Sequence, residues 1–129
     1  MEDTTLANFA GTFHRCWICN RTAMQSMFGR LEIHHIARGV HRKKAKDKRS
    51  CLIRCCQPCH EKYLDGMEVV VQLAIKKMFD PEGYDRLEVN KLRRRAPEAI
   101  TESEVDDALA LLQIGVWPLH DKFRSHQDN

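Results

Sequence analysis

The sequence predicts a small α+β fold: a two-stranded antiparallel ribbon and a helix stapled by a metal ion, with additional C-terminal helices. Three observations predict it. Two Cys-x-x-Cys pairs, Cys16-Trp-Ile-Cys19 and Cys56-Gln-Pro-Cys59, are separated by 36 residues in a chain of 129. Two short segments, RLEIHHI and CLIRCC, have the content of strands. A stretch with apolar residues three and four apart follows the second pair. A chain this short makes one domain with a modest core, which gains much from a metal staple.

The elements follow in order. Residues 1–14 form a polar lead-in with room for a short helix, 16–20 a metal-binding turn and 21–29 a polar connection. The first strand covers 30–36, with Leu31, Ile33 and His35 on one parity, and Gly39 ends it. The second covers 51–56, so the basic stretch between them becomes the ribbon's loop. One helix is predicted over 59–78 through Tyr63, Met67, Val70, Val71, Ala74, Ile75 and Met78, with Pro58 at its start. After a break at 79–83, a second helix runs over 84–96 into Arg93, Arg94 and Arg95. Thr101 and Glu104 form a capping box that opens a third helix, with Val105, Leu109 and Leu112 on one side and Gly115 and Pro118 closing it. The expected division is a core with its lead-in over 1–78 and a helical extension over 79–129, packed on or beside it.

No run of 18 apolar residues exists, and the start lacks a basic region followed by an apolar one. These features argue against a membrane protein or a secreted one and lead to an expectation of a cytoplasmic, nucleic-acid-associated chain. In a reducing compartment close cysteine pairs read as metal ligands. The net charge of +3 conceals a gradient. Residues 38–49 hold seven Lys/Arg against one Asp, a net +6, whereas 97–129 hold seven acidic residues against two basic ones, a net −5. A chain so polarised can offer one face to a polyanion. A solvated basic loop is the plainer reading.

Cysteines two positions apart on a tight turn can both reach one ion, and two such turns complete tetrahedral zinc. The expected structural zinc ligands are therefore Cys16, Cys19, Cys56 and Cys59. A redox dithiol would sit in a strand-then-helix setting that neither pair has. Cys55 competes with Cys56, but the two-residue spacer favours Cys56 and leaves Cys51 and Cys55 as buried thiols.

His34 and His35 point in opposite directions on a regular strand, so they can hold different jobs. His60 follows Cys59 directly, and zinc therefore ties the region of His34 and His35 to that of His60. A divalent ion held by His34 and His60 would keep open positions for water and phosphate oxygens. The neighbouring basic loop would add salt-sensitive, sequence-independent phosphate contacts.

Taken together, Cys16-x-x-Cys19, Leu31-Glu-Ile-His-His-Ile36 and Leu52-Ile-Arg-Cys-Cys56-Gln-Pro-Cys59-His60 resemble an HNH endonuclease of the zinc-containing ββα-metal type. The likeness covers residues 13–67. It implies a metal-dependent DNA endonuclease or nickase that leaves 5′-phosphate and 3′-hydroxyl ends. By that resemblance His35 is the general base, and His34 and His60 hold the catalytic Mg²⁺, Mn²⁺ or Ni²⁺. Two departures stand out. Cys51, with Ser50 beside it, occupies the place where members carry a supporting Asn, and Leu64 stands where a further ligand follows the CH histidine. The expectation is accordingly an ion held by two protein ligands.

Glu32 shares strand parity with His34 and is either a hydrogen-bond partner of a ligand imidazole or a solvated side chain. Arg30, Arg38, Arg42, Lys43, Lys44, Lys46, Lys48 and Arg49 are the candidate phosphate contacts. Trp17 reads as packing. The expected partner is DNA, duplex or branched, with a homodimer or association with a larger phage or recombination machine left open. Two rival functions remain: a zinc-stabilised DNA-binding module with attenuated catalysis, and a protein-interaction adaptor using the acidic C-terminal helix.

Overall fold

The computed structural model describes residues 4–36 and 46–115. Gly39, Pro118 and most of the basic loop, including Arg38, Arg42, Lys43 and Lys44, lie outside the described residues. Among the described residues the helices and strands follow in the order α1 (Thr4–Thr12), β1 (Leu31–His35), β2 (Leu52–Cys56), α2 (Gln57–Lys62), α3 (Val69–Phe79), α4 (Arg86–Leu92) and α5 (Glu102–Ile114). The predicted class holds: a two-stranded antiparallel ribbon, flanked by the four clustered cysteines, leads into several helices as a zinc-stapled ββα-type core. Among the described residues no helix is long and apolar enough to cross a membrane.

The ribbon pairs Leu31 with Cys56, Ile33 with Arg54 and His35 with Leu52. This register sets His34 opposite Ile53, one pair from the strand end. Before β1 the chain folds back as a knuckle. The Cys16 N–H donates to the Arg21 carbonyl and the Trp17 N–H to the Arg54 carbonyl, which joins the knuckle to β2. Asn20 takes the left-handed turn position at φ 66°, where an amide side chain is tolerated better than most. Trp17 is buried, as packing requires. It stacks on Phe79 at 5.4 Å and meets Phe13 edge-on at 5.0 Å.

The helix predicted over 59–78 is two helices with a break between them. α2 ends at Lys62, a 3-10 turn runs Leu64–Gly66, and α3 starts at Val69 after Glu68 in an extended conformation. Gly66 is the stop signal, and apolar spacing alone reads straight across it. The helix predicted over 84–96 is also shorter. Asp85 caps it by accepting the Glu88 N–H, and Arg94, at φ 58°, ends helical geometry before the arginine run is complete. The Thr101–Glu104 capping box is present in full. α5 lies along α3 with Val105 and Leu112 buried and Leu109 partly so. Lys77 bridges to Glu102 and Asp106, at 2.6 Å each.

Lys76 is 0% exposed, unusual for a lysine. Its Nζ donates to the Leu52 carbonyl at 2.9 Å and to Asp80 at 2.8 Å, under the rings of Phe9 and Trp17. Burial pulls its pKa down to about 8, against the pull of Asp80, so it stays mostly charged at neutral pH. Asp80 also takes a two-pronged bond from Arg49, at 2.9 and 2.6 Å. Arg49, expected on phosphate, therefore spends its Nε and Nη2 inside the fold. Gly83 closes over this network: a Cβ there would meet Asp80 Oδ2 at 2.2 Å and Arg49 Nε at 2.8 Å. Gly83→Ala is expected to lower stability by about 2 kcal/mol, as forced shifts around a buried charge do. Urea unfolding checks this, and a midpoint equal to wild type would count against the network.

Candidate metal and catalytic centres

Two clusters of ligand-type side chains lie side by side. In the first, one sulfur from each of Cys16, Cys19, Cys56 and Cys59 lies within 4.8 Å of the other three, and all four residues are buried. Cys19 Sγ and Cys56 Sγ are 3.6 Å apart. Zinc–sulfur bonds of about 2.3 Å in a tetrahedron put sulfurs roughly 3.8 Å apart. The separation fits a shared ion and is far too long for a disulfide. The second pair does lie at a strand-to-helix junction, between β2 and α2, contrary to the reading from sequence; what sets it apart from a redox dithiol is that both pairs meet in one cluster. The four thiols perturb one another: the neighbouring sulfurs draw Cys19 and Cys56 down and push Cys16 and Cys59 up. Such a set prefers one cation to four competing protons. Cys55 faces elsewhere, with its Sγ 3.8 Å from the Glu32 carbonyl oxygen, and burial pushes its thiol up. Cys51 is fully buried in the core.

The second cluster is His34, His60 and Asp65, whose ligand atoms also lie within 4.8 Å of one another. β1 supplies His34, α2 supplies His60, and the 3-10 turn supplies Asp65. Asp65 adds a third donor-type side chain to the two expected. Leu64, at the position where a ligand was sought, is buried in the core, and Asp65 arrives one place later. The shift arises because the chain leaves α-helical spacing at Tyr63.

Both imidazoles are oriented by an acceptor. His34 Nε2 lies 2.7 Å from Gln72 Oε1, and the Gln72 amide nitrogen donates to the Met67 carbonyl at 2.8 Å. The amide is thereby fixed with oxygen toward the ring, so His34 carries its proton on Nε2 and its lone pair on Nδ1. His60 Nδ1 lies 2.9 Å from Glu32 Oε1, so Nδ1 carries a proton and Nε2 is the nitrogen left to serve as a ligand atom. Burial pushes His34 down to about 4, against the Gln72 bond and with a further push from His60, so its ring is neutral at pH 7. Neutral imidazoles with the second nitrogen bonded to a carbonyl or carboxylate have the chemistry of metal ligands. The donor set of two imidazoles and one carboxylate fits a divalent ion.

His35 has a different setting. Its Nε2 lies 3.1 Å from the Lys46 carbonyl oxygen, which can only accept, so Nε2 carries a proton. Ser50, beside the place of the missing Asn, donates to Glu88 Oε1 at 2.5 Å and ties the ribbon to α4. Among the phosphate candidates, Lys46 and Lys48 are exposed, and Arg30 lies 3.6 Å from Glu32. Sequence reasoning missed Asp65, Gln72 and Glu88. Gln72 alone left a trace, as the single polar residue in the run Val69-Val-Val-Gln-Leu-Ala-Ile75.

The chain is thus a small domain with a β-hairpin, flanking helices, a four-cysteine cluster and a His-His-Asp cluster, as a zinc-binding, nuclease-like fold would have. No family model, no curated protein and no solved structure matches the chain.

Proposed function

We propose that the chain is a metal-dependent DNA endonuclease or nickase of the HNH type. The observation that supports it best is the His34, His60 and Asp65 set, with both imidazoles braced, beside a His35 braced by a backbone carbonyl. A divalent ion bound by the first three would supply Lewis-acid neutralisation of charge on the phosphate and its leaving oxygen. His35, held through Nε2 by the Lys46 carbonyl, takes the proton of the attacking water as general base, and that carbonyl stabilises the imidazolium that results. Glu32 and Gln72 hold the ligand rings in place. The exposed Lys46 and Lys48, with Arg38, Arg42, Lys43 and Lys44, bind the DNA backbone without reading sequence.

The rival reading, a DNA-binding module with attenuated catalysis, draws support from the Ser50 hydroxyl being committed to Glu88. Supercoiled plasmid separates the two. With Mg²⁺, Mn²⁺ or Ni²⁺ the zinc-loaded protein is expected to convert it to the nicked circle, with 5′-phosphate and 3′-hydroxyl ends. Salt-sensitive binding with no nicking under any of the three ions would favour the module.

A further inference from the structure

The connection between the first cysteine pair and β1 has its polarity reversed. Ser26 is buried, and its hydroxyl donates to the Arg30 carbonyl at 2.7 Å and accepts the Arg30 N–H at 3.1 Å. Gln25 Oε1 accepts the Thr22 N–H at 2.9 Å, and Gly29 turns the chain at φ 69°. The polar groups thus stitch the loop to itself, while Met24, Met27 and Phe28 stand 93%, 72% and 53% exposed. A backbone braced in this way holds three apolar residues out toward solvent, and water gives no reason for it.

The surrounding charge identifies the occupant. From Thr4 to Leu31 the chain has no acidic residue, while Arg15, Arg21 and Arg30 are all exposed. The loop also connects directly to the second cluster. Arg30 lies over the Phe28 ring at 5.7 Å and 3.6 Å from Glu32, whose other oxygen meets His60 at 2.9 Å. Apolar tips on a segment whose charged side chains are arginines, one of them over the Phe28 ring, suit a nucleic-acid base that has left its stack: the ring and thioethers would cover its faces, and the guanidiniums would meet the flanking phosphates.

We infer that Met24, Met27 and Phe28 form a wedge for an unstacked base, which makes DNA with an unpaired or branched position, rather than uninterrupted duplex, the preferred substrate. The inference rests on the nuclease reading for its biological meaning, but its test does not involve cleavage. Zinc-loaded full-length protein, with no added Mg²⁺ or Mn²⁺, is titrated into two duplexes carrying 2-aminopurine, one beside a single unpaired base and one fully paired. Wild type is expected to bind the interrupted DNA about tenfold more tightly, the scale of stacking one base on an aromatic ring, and to raise its fluorescence. In Met27→Ser/Phe28→Ser the preference and the fluorescence rise should disappear. Zinc content and affinity for paired duplex should stay within about twofold, because the phosphate contacts are untouched.

No preference in wild type, or a preference that survives the double substitution, would overturn the wedge. So would a change confined to oligomeric state on sedimentation, since the loop would then be covered by a second copy. A protein that shows the wedge signal but never nicks plasmid contradicts the nuclease reading alone. One that nicks without discriminating contradicts the wedge alone.

Discussion

Removing zinc from the four-cysteine cluster, by chelation or by Cys59→Ser, is expected to abolish cooperative unfolding near neutral pH. The four sulfurs join a knuckle in front of β1 to the junction of β2 and α2, and all four residues are buried. Without a cation, thiolates so close repel, and thiols so close leave sulfur unsatisfied in the core. Structural zinc contributes roughly 10 kcal/mol of apparent free energy. A whole domain is stable by only about 5–15 kcal/mol. Loss of zinc therefore removes most of what holds the ribbon to the helix. Cys55→Ser is the control. Its Sγ faces the Glu32 carbonyl and not the cluster, so stoichiometric zinc and a cooperative melt should persist, whereas Cys56→Ser should lose both. Atomic absorption and circular dichroism read these outcomes. An unchanged melt after complete zinc removal would contradict the account.

His35→Ala is expected to slow plasmid nicking by about 10²- to 10⁴-fold, the usual contribution of a positioned general base. The substitution lies at the end of β1, where His35 pairs with Leu52, and it removes none of the residues in the second cluster. Zinc content, fold and Mn²⁺ affinity should therefore remain close to wild type while the rate collapses. That split matters, because a merely structural role would lower all of them together. Equal nicking by both proteins would place the base elsewhere.

Much of this architecture is written locally. Both cysteine pairs, the alternation around His34 and His35, and the Thr101–Glu104 box each lie within a few residues, where spacing is a reliable guide. What escaped depends on contacts across the chain. Asp65 joins the second cluster where α2 gives way at Tyr63 to a 3-10 turn, a break that apolar spacing alone would read across. Gln72 looks like a misplaced polar residue until His34, 38 positions earlier, is packed against it. Arg49 reads as a phosphate contact, yet it converges with Lys76 on Asp80, and Lys76 is fully buried. No local rule foretells a buried cation whose partners come from a strand carbonyl, a helix end and two aromatic rings.

The central claim is that β1, α2 and the turn after α2 hold a second, catalytic ion beside the zinc. Anomalous diffraction from crystals grown with Mn²⁺, recorded at the zinc and manganese edges, tests it most directly. The account predicts zinc density among the four sulfurs and a separate manganese peak bound by His34, His60 and Asp65. Crystals with ordered zinc but no manganese between those three side chains would contradict it.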